Sequence, residues 1–174
     1  PMTAIRRVLD TLYLAGGVIA AVFTVLILLI IVAQMLARWT GMTFPGAADY
    51  AGYCMAGASF FAFAYALNHG AHIRVTLALS AMGKYRRWGE TFCFAVGAAV
   101  TTFVARYAWK YMMQSYKFKD VSQGQDATPL WIPQIVMVVG AILLAIAFWD
   151  NLIRLLVTGS TNVRDDLVDQ SHAE

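Results

Sequence analysis

The stretch TLYLAGGVIAAVFTVLILLIIVAQMLA, from Thr11 to Ala37, runs 27 residues without a charged side chain. A helix crosses a hydrocarbon core of about 30 Å with about 20 apolar residues. At about 1.5 Å per residue this run reaches about 40 Å, which predicts a spanning helix with length to spare and hence some tilt. Three more uncharged runs follow, Tyr50 to Asn68, Thr91 to Ala105 and Ala127 to Trp149. Arg106 cuts the third short, but Met112 and Met113 beyond it extend the segment far enough to span. The pattern predicts an all-α membrane protein, a single integral-membrane domain over residues 1–174 with four transmembrane helices at about 12–36, 47–67, 91–113 and 130–156. The first run is about twice the length of a secretory h-region, and no small-residue cleavage site leads from it into a soluble domain. It is expected to stay in the mature chain, with Pro1 ahead of Met2 read as a cloning remnant.

Composition agrees: 60% of the 174 residues are hydrophobic, against about half in soluble domains. All five tryptophans fall at segment ends. Trp39 closes the first, Trp88 and Trp109 bracket the third, and Trp131 and Trp149 bracket the fourth. Indole rings favour the water–lipid boundary, so these five are expected to be interfacial anchors. The net charge of +3 does not point to nucleic acid, because the basic residues lie between apolar segments and form no aromatic-interleaved patch. They report topology instead. Eight flank one side (Arg6, Arg7, Arg74, Lys84, Arg86, Arg87, Arg154, Arg164) and four the other (Arg38, Lys110, Lys117, Lys119). By the positive-inside rule both termini face the cytoplasm.

Between the second and third segments, Val75, Ala78, Leu79, Met82 and Tyr85 recur at helical spacing, with Thr76, Ser80, Lys84 and Arg87 opposite. This predicts an interfacial amphipathic helix at about 75–87, its cations near anionic lipid. Residues 114–128 read as a polar outward loop, and Asp49 as a carboxylate at the positive end of the second helix.

Candidate chemistry is sparse. Arg106, three residues before Trp109, is the one ionisable residue read as intramembrane. It is read as a snorkelling side chain or a possible subunit or docking contact. Asp150 and Arg154 stand at i, i+4 spacing, where a side-chain pair is expected. His69 and His72 lack the further ligands that a metal shell requires. Cys54 and Cys93 read as small buried hydrophobes. No paired carboxylates, nucleophile with base or phosphate cradle occurs, so the chain is not expected to be an enzyme, and no metal or cofactor is expected in it. Small residues at helix-packing spacing (Gly16 and Ala20, Gly17 and Ala21, Gly52 and Ala56, Gly97 and Thr101) predict close helix contacts.

Asn68-His-Gly-Ala-His72-Ile73-Arg74-Val75 directly after the second segment, and Thr128-Pro129-Leu-Trp-Ile-Pro133 opening the fourth, resemble the small membrane subunit (DctQ-like) of tripartite ATP-independent periplasmic (TRAP) transporters. The resemblance covers nearly the whole chain and is most specific at His72-Ile73-Arg74-Val75. Thr76 stands where the family pattern often has an acidic residue. The resemblance implies a partner, a large membrane subunit holding the sodium and substrate sites, and a periplasmic substrate-binding protein that delivers the cargo. It also implies import of organic acids of dicarboxylate or sialic acid type, a bacterial inner-membrane location, and a role for this chain as scaffold. Sodium would then belong to the partner subunit.

Two other classes compete. A haem-bearing membrane anchor of an oxidoreductase would draw its histidines from facing helices, whereas here two lie together after one helix. An autonomous proton-coupled exporter would need a buried carboxylate, and none of the four uncharged runs holds one.

Overall fold

The computed structural model describes residues 2–68 and 85–158. They form α1 (Met2–Trp39), α2 (Ala47–Asn68), α3 (Arg86–Phe118) and α4 (Trp131–Thr158). All four are long and apolar enough to cross a membrane. The interfacial helix expected at 75–87 lies outside the described residues except at its end, where Arg86 already opens α3.

Two helices outrun the expected bounds. α1 begins at Met2, ahead of position 12, and α3 extends from Arg86 to Phe118, beyond 91–113 on both sides. Charge ends an apolar run without ending a helix. The flanking Arg, Glu, Lys, Gln and Met are all good helix formers, so the helix continues until a cap stops it. For α3 that cap is Lys119, left-handed at φ 52°, whose N–H bonds the Ser115 carbonyl. The Asp120 N–H reaches the same oxygen at 3.1 Å.

The helices stand in an open row. α1 packs on α2, α2 on α4, and α4 on α3, while α1 only grazes α4. Each outer helix therefore buries one narrow seam. On α1 it is Tyr13, Gly16 and Ala20, and on α3 Ala98, Thr101, Ala105, Met112 and Ser115, at spacings of three, four and seven. Such spacing keeps one face toward a nearly aligned neighbour. α4 is central and buries residues over most of its perimeter, leaving one ridge of branched side chains outside: Ile132, Ile135, Val139, Ile142 and Ile146.

The core gathers where α1, α2 and α4 meet, around Tyr13, Ala20, Phe61, Ala64, Leu67, Leu143 and Ala147. Glycines set the approach of the backbones. A Cβ on Gly140 would lie 2.6 Å from the Phe60 Cβ and 3.0 Å from its carbonyl carbon, and one on Gly57 would meet Val136 and Phe23. Gly16 sits under Leu143, and Gly97 under the Phe148 ring. The pairs Gly16/Ala20 and Gly97/Thr101 thus serve contacts within the chain. Gly52 faces open space, with nothing within 4 Å of a Cβ there.

Candidate functional site

Polar side chains collect in three places. The first is the end of the row where α2 and α4 finish. Asn151, fully buried, donates from Nδ2 to Asn68 Oδ1 at 2.8 Å and to the Ala147 carbonyl at 2.8 Å. Tyr13, 2% exposed, donates its hydroxyl to Asp150 Oδ2 at 3.3 Å. The Asn68 amide lies beside Tyr13, and Arg154 and Arg6 are within electrostatic reach of Asp150. The cluster ties α1, α2 and α4 together through four side chains. Asp150, expected to pair along its own helix with Arg154, also accepts a hydrogen bond from α1, with Arg154 in electrostatic reach.

The second place is the opposite end, where the turn after α1 meets the loop between α3 and α4. Gly46, at φ 78°, lies against Asp126, with a Cβ there only 2.8 Å from the Asp126 Cβ. Position 46 therefore demands glycine twice, for its left-handed backbone and for space. Gly124 rests against the Asp49 carboxylate in the first turn of α2. Ser122 donates its N–H to the Thr128 carbonyl at 2.8 Å, Leu130 to Asp120 at 3.0 Å, and Val121 bridges Pro129. The predicted loop is thus a closed hairpin pinned onto α2. Both Asp126 oxygens are shielded without a well-formed hydrogen bond. The Thr128 hydroxyl beside them, with help from Tyr53 and Ser122, outweighs desolvation and holds this carboxyl below its ordinary range.

The third place is the exposed face of α3. Arg106, Lys110, Gln114 and Lys117 follow one another on it, all exposed. The Phe103 and Tyr107 rings pack at a tilt of 42°, centres 4.3 Å apart, and Lys110 Nζ stands 5.9 Å from the Tyr107 ring centre. An open groove of about 810 Å³ runs along this face. Sequence spacing alone placed Arg106 near a boundary, but helix register places it deeper. α3 is antiparallel to α4, with Gly97 opposite Phe148 and Tyr116 against Trp131 at 5.7 Å. Counting from Gly97, Arg106 stands level with Val139 and Gly140, and Lys110 level with Ile135 and Val136. Gly140 meets Phe60, and Val136 shares a contact with Phe23, next to the middle of the uncharged run of α1.

Of the expected anchors, Trp149 donates its indole N–H to Thr102 on α3 at 3.0 Å, Trp131 makes the edge contact with Tyr116, and Trp39 and Trp88 are exposed at helix ends. Trp109 is exposed on α3, one turn beyond Arg106. Cys93 is exposed and Cys54 half-buried, so neither is the fully buried hydrophobe expected. His72, Ile73, Arg74 and Val75, with His69, lie outside the described residues. Among the described residues, no three His, Cys, Asp or Glu side chains come close enough to hold a metal ion. Tyr13 and the Asn68–Asn151 pair were not anticipated as a cluster. The signal was available in the lone amides closing or following two otherwise apolar runs.

A family model described as "Tripartite ATP-independent periplasmic transporters, DctQ component" matches residues 27–158. That stretch runs from the middle of α1 to the end of α4. Comparison with curated proteins and with solved structures finds no match.

Proposed function

The chain belongs to the DctQ component family of tripartite ATP-independent periplasmic transporters, and on that premise we propose that it braces the large membrane subunit of a sodium-coupled importer of organic acids, of dicarboxylate or sialic acid type. Membership in a transporter component family, which is not an enzyme family, gives it a multi-pass inner-membrane setting, with a large subunit and a periplasmic binding protein as partners. The finer reading is ours: sodium and cargo are handled by the large subunit, and this chain holds that subunit's fixed part in the bilayer while its transport part moves. Both termini are cytoplasmic in this reading, on the strength of the basic flanks, which puts the hairpin of residues 119–130 on the periplasmic side.

The observation that carries the reading is the open row α1–α2–α4–α3. A closed bundle of four helices turns its apolar side chains inward around one axis. A row has two broad faces, and here large aliphatic and aromatic side chains along α1 and α3 remain outside. In lipid such faces enlarge a neighbour's perimeter through shape-matched packing. Transport sites near a midplane are built from broken helices and polar groups, whereas these four helices are continuous.

Purification of the chain with its large subunit in mild detergent tests the proposal. The two are expected to elute as one species, with sodium-dependent uptake in proteoliposomes only when the binding protein is added. A chain that stays monodisperse alone and captures no large subunit would refute the scaffold reading.

A further inference from the structure

We infer that the face of α3 bearing Arg106 and Lys110 is covered inside the membrane by a transmembrane segment of the large subunit, which presents a carboxylate to these two cations. The inference rests on the scaffold reading and adds to it a surface and a chemistry.

Depth is the first argument. Arg106 is level with Gly140 and Phe60, and Lys110 with Val136, Gly57 and Phe23. From Phe23 the uncharged run of α1 continues 12 residues back to Thr11 and 14 on to Ala37. At about 1.5 Å per residue, that is about 18 Å one way and about 21 Å the other. From Cα to the charged nitrogen an extended lysine reaches about 6 Å and an arginine about 7 Å. Measured along α4 from Trp131, Arg106 lies nine residues deep, about 14 Å, so its head group stops short of water and of lipid phosphate, whereas Lys110, level with Val136, lies five residues deep, about 8 Å, on the side nearer water.

Charge is the second. Two cations at i, i+4 repel each other. Among the described residues neither forms an ion pair, and the contact made by Lys110 is with the Tyr107 ring. The one acidic residue of α3 is Glu90, at the far end of the helix. A charged side chain at this depth faces a partner rather than lipid, and the deficit here is one of negative charge. A carboxylate suits it, since guanidinium pairs with carboxylate in a bidentate fork. Shape is the third argument. The groove, flanked by Phe103, Tyr107, Met113 and Phe118, lies on an outer helix whose other side is taken by α4.

Two measurements on the complex test this. Replacing both cations (Arg106→Gln with Lys110→Gln) is expected to lower recovery of the large subunit at least tenfold, with recovery regained when a carboxylate on the facing segment is changed to its amide. A photo-crosslinking residue at Tyr107 is expected to capture the large subunit. Wild-type recovery with the double variant, or capture of lipid alone at position 107, overturns the inference while leaving the scaffold reading intact. Failure of the wild-type chains to associate would strike that reading instead.

Discussion

At the scale of single residues, the two ends of the row are held by different physics. Asn151 joins α4 to α2 through one buried amide pair. Interhelical hydrogen bonds in membranes contribute about 0.6 kcal/mol on average and at most about 1.7, because the separated helices find other partners. Asn151→Leu strands the Asn68 carbonyl oxygen in a buried place and is expected to cost about 1 kcal/mol in detergent unfolding. The double variant with Asn68→Leu removes both partners and should cost less than the sum of the two single changes. Asp126 works by charge. Its folded-state pKa lies below the ordinary value of 3.8, so the stability it lends the hairpin is fully present above about pH 4. That contribution is lost as pH falls through the folded value. Trp131 fluorescence at the foot of the hairpin is expected to report loosening as pH falls below about 4 in the wild type. In Asp126→Asn that acid transition should flatten, the hairpin being weakened already at neutral pH.

At the scale of elements, two glycines at superficially similar positions have opposite roles. Gly140 lets α4 lie against the backbone of α2. Gly140→Ala forces the two apart and is expected to destabilise by about 1–3 kcal/mol, as overpacking does. Gly52 faces nothing within 4 Å. Gly52→Ala therefore gains helix propensity, up to about 1 kcal/mol, and thermal unfolding should show no loss. If the change instead impairs recovery of the complex, Gly52 lies at the partner interface. Both glycines stand in apolar helices, and spacing does not tell them apart. Only the facing atoms do, because a small residue means close approach only if something approaches.

For the molecule as a whole, the number and order of the helices were legible because hydrocarbon thickness imposes a length on apolar runs that few other constraints match. The bounds of α1 and α3 were less so, since charge stops an apolar count while a helix runs on to its cap. The depth of Arg106 was hidden for a related reason. Distance from Trp109 along one helix measures depth only if that tryptophan marks a boundary, and the register of α3 on α4 is a property of two helices. The open row was not legible either. Four amphiphile-free apolar segments are equally compatible with a closed bundle, and what selects the row is which seam carries the glycines and alanines that let a neighbour close in.

The row also has an order in time. α1 and α2 become neighbours as soon as both have left the ribosome, and chains generally acquire structure from the N-terminal side during synthesis. α3 is made before α4, the helix on which it chiefly leans. Through that interval Arg106, at mid-depth, has no subunit to face. The insertion of α4 is therefore the step that commits the chain to its final shape, and a chain released just before Trp131 would leave a paired α1–α2 and a solitary α3 for quality control to find.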